Sequence, residues 1–487
     1  MERSEGRAKV LQGAEGMDRR HFIKGASVMG GSLMAAGLAA GPRVASAAGV
    51  SHGSAAPSVQ GLRPPGARSA DLTPMEQKVL SLIEEDEVAS VLQDIVRIPT
   101  IESNEQEGAE YFAGRLREWG MTDSMIQGIE GHPGRSNLIA RLPGRTPKGP
   151  TLLITSHLDT IAIHDTADED QWMADPLSGE IRNGRVYGRG ASDNKAGCVA
   201  KIMAAKAIKE AGVELPGDLL IALVADEEGY MLGIKQFIKS GLHKEVSGAY
   251  SEGAGTGSRI RASVPGRTSA MITFYGTNAH AGTSPRPGVG VNAIHHAGKF
   301  IAAIADAAPN HPVSPYYGPS FYQVLQATGG WPTTQTSQKP AFCRIFLDTR
   351  LVPDHDPDDV WRDVQRILDR LSDQDPDFRY SIGEIDRRPG YRVDFDWPVV
   401  KSAASAYEAL AGTPPEFGDV EPASFAIGTT DTHYLAKEGI PCASVVSPAR
   451  PDAAAHQANE YMGIEPLTMG TKATALAVMR YWDFFGG

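Results

Sequence analysis

The sequence predicts an α/β fold, a mainly parallel sheet flanked by helices and interrupted by a smaller α+β unit. Three observations carry this. Two apolar runs, Thr151–Thr155 and Leu219–Val224, read as buried strands, with a helical pattern from Gly197 to Ala211 between them. From about Gly266 the texture changes to that of a half-exposed strand. After Pro398 the α/β texture returns.

The elements follow in order. Pro74 to Arg97 has helical periodicity, carried by Val79, Leu80, Leu82 and Ile83, then Val88, Val91, Leu92 and Ile95. It stops at Ile98-Pro99, because the residue before proline disfavours helix. A second helix spans roughly Glu105 to Trp119. Within the insertion, Ser269–Tyr275 is a strand, Val291–Ala307 a helix, Ala341–Thr349 a strand, Asp358–Arg370 a helix and Phe378–Ile385 a strand. Val445–Ser447 supplies a further strand and Leu467–Phe484 a long final helix. The expected division is an α/β domain over 73–265 and 393–487, with an inserted domain over 266–392.

The first 72 residues read differently. Arg19-Arg20-His21-Phe22, a weakly apolar Gly/Ala stretch and Ala45-Ser46-Ala47 resemble a twin-arginine export signal over residues 1–47. Residues 48–72, rich in Ala, Gly, Ser and Pro, read as a flexible linker. An exported protein, extracellular or periplasmic, is expected. The formal net charge of −12 argues against nucleic acid as a partner. No apolar run is strong and long enough for a stable membrane anchor. The three cysteines, Cys198, Cys343 and Cys442, fit neither a disulfide framework nor a cysteine zinc site and read as core residues.

Chemistry collects past the ends of the predicted strands, where parallel sheets present functional groups. His157-Leu-Asp159 follows the first run, and an imidazole with a carboxylate two residues on suits a metal ligand and the group that orients it. Asp193 lies in Tyr187-Gly-Arg-Gly-Ala-Ser-Asp193-Asn-Lys-Ala-Gly197, where glycines let the backbone approach closely. Asp226-Glu227-Glu228 follows the second run, and three acids there are costly unless a cation sits among them. Adjacent carboxylates point different ways, so one can be a ligand and one a base. Glu252 and His456 are further candidates.

The same order is accompanied by Ile95-Val-Arg-Ile-Pro-Thr100, Trp172-x-x-Asp-Pro176, Asn278-Ala-His280-Ala-Gly282, Val291-Asn292-Ala-Ile294 and Asp348-Thr-Arg350. Together these motifs resemble the cocatalytic-zinc metallopeptidase family of acetylornithine deacetylase, succinyl-diaminopimelate desuccinylase, aminoacylase and carboxypeptidase G. The resemblance covers roughly residues 76 to 485. It implies a catalytic domain of zinc-peptidase type with an inserted lid and dimerisation domain, and two divalent metal ions, zinc with cobalt or manganese as alternatives. His157, Asp193 and Glu252 would hold one ion; Asp193, Glu228 and His456 would hold the other. Asp159 would orient His157, and Glu227 would be the general base. His280 would reach from one lid into the other subunit's site in a homodimer, and Arg350 and Asn292 would bind substrate. The implied reaction is hydrolysis of an amide bond in an N-acyl amino acid or short peptide. Two readings compete with it. Against a lidless aminopeptidase stand the motifs of the insertion. Against a non-catalytic binding protein that kept the fold stands the intact set of ligands and base.

Overall fold

The computed structural model describes residues 71–101, 104–146, 149–163, 171–255, 257–283, 286–330, 337–419 and 428–485. The expected export signal and all but the last two residues of the expected linker lie outside the described residues.

The larger sheet draws five strands from before the insertion: β1 (Ser124–Gly128), β2 (Ser136–Leu142), β3 (Thr151–His157), β4 (Leu219–Val224) and β5 (Val246–Ser251). The insertion adds β6 (Gly266–Tyr275), β7 (Phe321–Gly329), β8 (Phe342–Leu351), β9 (Arg379–Ile382) and β10 (Asp386–Arg388), and β11 (Cys442–Ser444) follows it. The larger sheet runs β1-β2-β4-β3-β5-β11. The pairings β4–β3, β3–β5 and β5–β11 are parallel, and those of β1 and β2 antiparallel. The expected α/β class is therefore what the chain adopts, with β4, β3, β5 and β11 forming its parallel part.

Both faces of this sheet are covered, which is why β3 and β4 read as unbroken apolar runs. Alternate residues of β4 serve opposite faces. Leu219, Ile221 and Leu223 join one core and Leu220, Ala222 and Val224 the other. Helices α1 (Pro74–Ser81), α2 (Glu85–Val96), α3 (Glu105–Glu118) and α4 (Lys195–Glu210) contribute to the first core, and α5 (Leu232–Lys239) to the second.

In the insertion, β7-β8-β6-β9 form an antiparallel sheet, and β10 also pairs with β6. Helices α6 (Ala293–Ala305) and α7 (Pro357–Gln374) share a separate core with it, built on Ile272, Phe274, Phe300, Ile345, Trp361 and Leu368. Beyond it lie α8 (Pro398–Ala411), α9 (Thr432–Lys437) and α10 (Ile464–Arg480).

Three expectations need correction. The helix expected over Pro74–Arg97 is two, because Glu85, Asp86 and Glu87 start a new helix, where its positive N-terminal end favours them. The strand expected at Val445–Ser447 is β11, three residues earlier. The sheet of the insertion holds two strands beyond the three expected, the short β10 and β7; β7 is an edge strand with its residues exposed or half-exposed, so no buried face marks it. The three cysteines are buried and unpaired.

Candidate active site

Adjacent parallel strands deliver three parts of the site at their carboxyl ends. His157 closes β3, Asp226-Glu227-Glu228 follows β4, and Glu252 follows β5. Asp193 stands two residues before α4, and His456 comes from the loop after Ala454. Asp226, Glu252 and His456 hold left-handed backbone (φ 66°, 30° and 58°), a costly conformation for non-glycine residues and one that collects at functional sites. Two glycines permit the close approach. A Cβ at Gly197 would lie 2.4 Å from Ser156 Oγ, and one at Gly229 would lie 2.4 Å from Asp226 Oδ1.

Asp193 stands between the two imidazoles. Its Oδ1 is 3.2 Å from His157 Nε2 and its Oδ2 is 3.2 Å from His456 Nε2. His456 Nε2 is also 2.7 Å from Glu228 Oε1, and Glu227 Oε2 lies 3.8 Å from His157 Nε2. Ligand-type atoms of His157, Asp193 and Glu228 fall within 4.8 Å of one another, as do those of His157, Glu227 and Glu252. Asp159 does more than its spacing suggests. His157 Nδ1 is 3.1 Å from its carbonyl oxygen, while its two carboxylate oxygens accept the N–H groups of Glu227 and Glu228 at 3.0 Å each. It thereby ties the acid loop to the histidine strand.

Negative charge exceeds positive here. Burial, reinforced by neighbouring carboxylates, pushes Glu252 up to about 8 and Glu227 well above its ordinary range, against the pull of His157. One oxygen of Glu252 is buried without a hydrogen-bond partner among the described residues. The Asp193 and Glu228 carboxylates push His456 up to about 10. A set of imidazoles and crowded carboxylates in this state fits divalent cations, which would relieve the repulsion.

Sequence reading missed the groups that hold this set in place. Glu460 accepts the Asp193 and Ser192 N–H groups at 3.0 and 3.1 Å and pairs with buried Arg189 at 2.7 Å. Arg135 pairs with Asp226 and lies 3.5 Å from buried Glu105. Asp431 is buried with both oxygens unpartnered among the described residues. Burial, with the nearby Asp159 carboxylate, pushes it up to about 7 against the pull of His157. Arg189 and Glu460 both sit inside motifs that the sequence makes visible, but 271 residues separate them, so spacing carries no signal of the pair.

The remaining predicted residues lie on the insertion. His280 is exposed and its Nδ1 accepts the Gly282 N–H at 3.1 Å. Asn292 caps α6 by accepting the Ile294 N–H at 2.9 Å. Arg350 Nε donates to Asp348 Oδ2 at 2.6 Å. Neither His280 nor Asn292 makes a hydrogen bond or ion pair to the acid–imidazole cluster of its own chain among the described residues. A cavity of about 550 Å³ opens beside Glu252, lined in part by Tyr316, Tyr317, Tyr391, Arg261 and Thr430.

Residues 153–480 match the model of peptidase family M20/M25/M40. The chain belongs to this family. Its members are metal-dependent hydrolases of amide and peptide bonds. The M20 chain is 27% identical over 432 residues to the N-formyl-4-amino-5-aminomethyl-2-methylpyrimidine deformylase of Bacillus subtilis (strain 168), covering 82% of this chain and 96% of the relative. It is 25% identical over 341 residues to the succinyl-diaminopimelate desuccinylase of Dechloromonas aromatica, covering 69% and 83%. The crystal structure of the M20 metallo-carboxypeptidase Sso-CP2 from Sulfolobus solfataricus superposes with a TM-score of 0.65 at 21% identity, covering 81% of this chain and 99% of the other. That last likeness speaks for the fold alone.

Proposed function

We propose that this M20 hydrolase is an exported enzyme with two metal ions that deacylates N-acyl amino acids or cleaves short peptides. The observation that carries this reading is Asp193 facing one imidazole with each oxygen at 3.2 Å. In it, His157, Asp193 and Glu252 would hold one ion and Asp193, Glu228 and His456 the other; the mixed nitrogen and oxygen donors suit zinc, with cobalt or manganese tolerated. Divalent ions in such a pair polarise the scissile carbonyl and lower the pKa of an attacking water.

The chain's own groups do the rest. Glu227, beside the ligands without belonging to either set, accepts a proton from water as its oxygen bonds the carbonyl carbon. It returns that proton to the leaving nitrogen as the C–N bond breaks. Asp159 keeps the Glu227 and Glu228 amides in place throughout. The cavity beside Glu252 offers room for the group beyond the scissile bond.

In this reading the lid also serves dimerisation. The edge strand β7 and the start of α6 expose Phe321, Leu325 and Ile294, apolar area that a second copy would cover. His280, also exposed, would donate to the oxyanion in the other subunit's site, while Arg350 and Asn292 would contact substrate. Export would follow the twin-arginine signal, so replacing Arg19 and Arg20 by lysine should trap the precursor inside the cell.

The test is elemental analysis of the purified protein with turnover of a panel of acyl amino acids and dipeptides, before and after chelation. Two equivalents of divalent metal and activity restored by metal readdition are expected. One equivalent or none in active protein would overturn the two-ion reading, and turnover that survives complete metal removal would overturn metal dependence.

A further inference from the structure

Arg388 ends β10, the short strand by which the chain leaves the insertion, and pairs there with Arg267 at the root of β6. Its side chain is 1% exposed. An arginine is seldom buried so fully unless its donors are used. Here Nε donates to Asp386 Oδ2 at 2.9 Å, Nη2 to the Gly229 carbonyl at 3.2 Å and Nη1 to Thr429 Oγ1 at 3.4 Å. Gly229 follows Glu227 and Glu228 directly; Thr429 stands two residues before Asp431. Asp386 also accepts the Tyr434 hydroxyl of α9 at 2.5 Å, with Lys235 Nζ of α5 3.8 Å away. One guanidinium therefore joins the lid's return strand to two of the loops that bring acids to the site, the one carrying Glu227 and the one carrying Asp431.

We propose that Arg388 is a positioning residue that fixes the Glu227 loop to the root of the lid, so that lid placement and base placement are set together. The inference rests on the reading of Glu227 as general base. The planar fork is what the task requires, since it can address three acceptors in different directions, whereas a lysine ammonium acts as a point charge on a flexible stem. Losing the fork leaves Glu227 chemically intact but imprecisely placed, and a 1 Å misplacement can cost about 10²-fold in rate.

The test compares Arg388→Ala and Arg388→Lys with Arg387→Ala, which removes a neighbouring guanidinium that pairs with Asp358 instead. Steady-state kinetics are measured on a substrate that the wild type turns over, with metal content and Tm recorded for each protein. Arg388→Ala should lower kcat by about 10²-fold with KM and metal content little changed. Millimolar guanidinium should restore part of that loss. Arg388→Lys should fold with metal bound and still be slow, while Arg387→Ala should match the wild type. Wild-type kcat in either Arg388 variant would overturn the inference. So would loss of Tm, metal and turnover in parallel in both variants without guanidinium rescue, which is the signature of a merely structural arginine. Glu227→Gln run alongside separates the two readings: turnover retained there refutes the base assignment, whatever Arg388 does.

Discussion

Both halves of the molecule bury carboxylates, but they balance them differently. In the insertion, Asp348 lies between Arg267 and Arg350, and Asp363 pairs with Arg366 and accepts the Asn310 N–H. In the α/β half, Asp159, Asp193, Glu227, Glu228, Glu252 and Asp431 gather around two imidazoles. The first arrangement is a finished set of ion pairs. The second is a surplus of negative charge that burial makes expensive, and such an imbalance persists where a bound cation or a reaction uses it.

The sharpest way to break this contrast is to remove one charge from the surplus at Glu227, which the proposed function places outside both ligand sets. Glu227→Gln should retain both metals and lose turnover by about 10²–10⁴-fold, the range of a general base. Metal analysis and kcat on the same preparation check it. Normal turnover in metal-replete Glu227→Gln would mean that its burial serves structure.

The insertion is expected to reach into the chemistry through one exposed group. His280→Ala should lower kcat by about 10²–10³-fold, as loss of one oxyanion donor does. If His280 works across a dimer, mixing His280→Ala chains with Glu227→Gln chains gives hybrid dimers with one site intact and one doubly defective. Activity should return to about a quarter of wild type at complete random mixing. No recovery despite demonstrated subunit exchange would confine His280 to its own chain.

A smaller effect is expected at the group that aims Asp193, the acid that the proposed function places between the two ions. Glu460→Gln keeps the shape but weakens the charge-assisted hold on the Asp193 and Ser192 amides and on Arg189. Metal affinity should fall about 10–100-fold, the usual cost of disturbing a group that orients a ligand. Competition with a chelator measures it, and unchanged affinity would show that the Arg189–Glu460 pair only packs the loop.

The two halves also differed in how far they could be read beforehand. Leu219–Val224 is unbroken because helices cover both of its faces, so strand and flanking acids were visible together. His157, Asp193, Glu227, Glu228, Glu252 and His456 stood out because their neighbours, glycine turns and apolar runs, are local. Glu460, Arg135 and Arg388 act through partners far along the chain, and no local pattern marks those pairings. Strand β7 stayed hidden for the opposite reason: with most of its residues exposed or half-exposed, it buries too little to impose a period.

The smallest effect concerns stability, and it tests whether the α/β half also contains finished pairs. Glu76 in the first turn of α1 meets Arg480 Nε at 2.7 Å, and it accepts the Thr73 N–H at 2.8 Å; both charged side chains are buried. Burial alone would raise the Glu76 pKa, but the bonds from Arg480 and Thr73 outweigh it and hold the carboxyl below its ordinary 4.5. A carboxyl depressed in the folded state adds stability that is present above the unfolded value and lost as pH falls through the folded one. Each unit of depression corresponds to about 1.4 kcal/mol. Glu76→Gln should therefore melt below the wild type at neutral pH, and the gap in Tm should narrow as pH falls below about 4.5. Taking the difference between the two proteins removes the acid release of metal, which both share. A gap that stays constant from pH 7 down to about 3.5 would mean that the Glu76 carboxyl gains nothing from Arg480, and that this pair, unlike those of the insertion, is only packing.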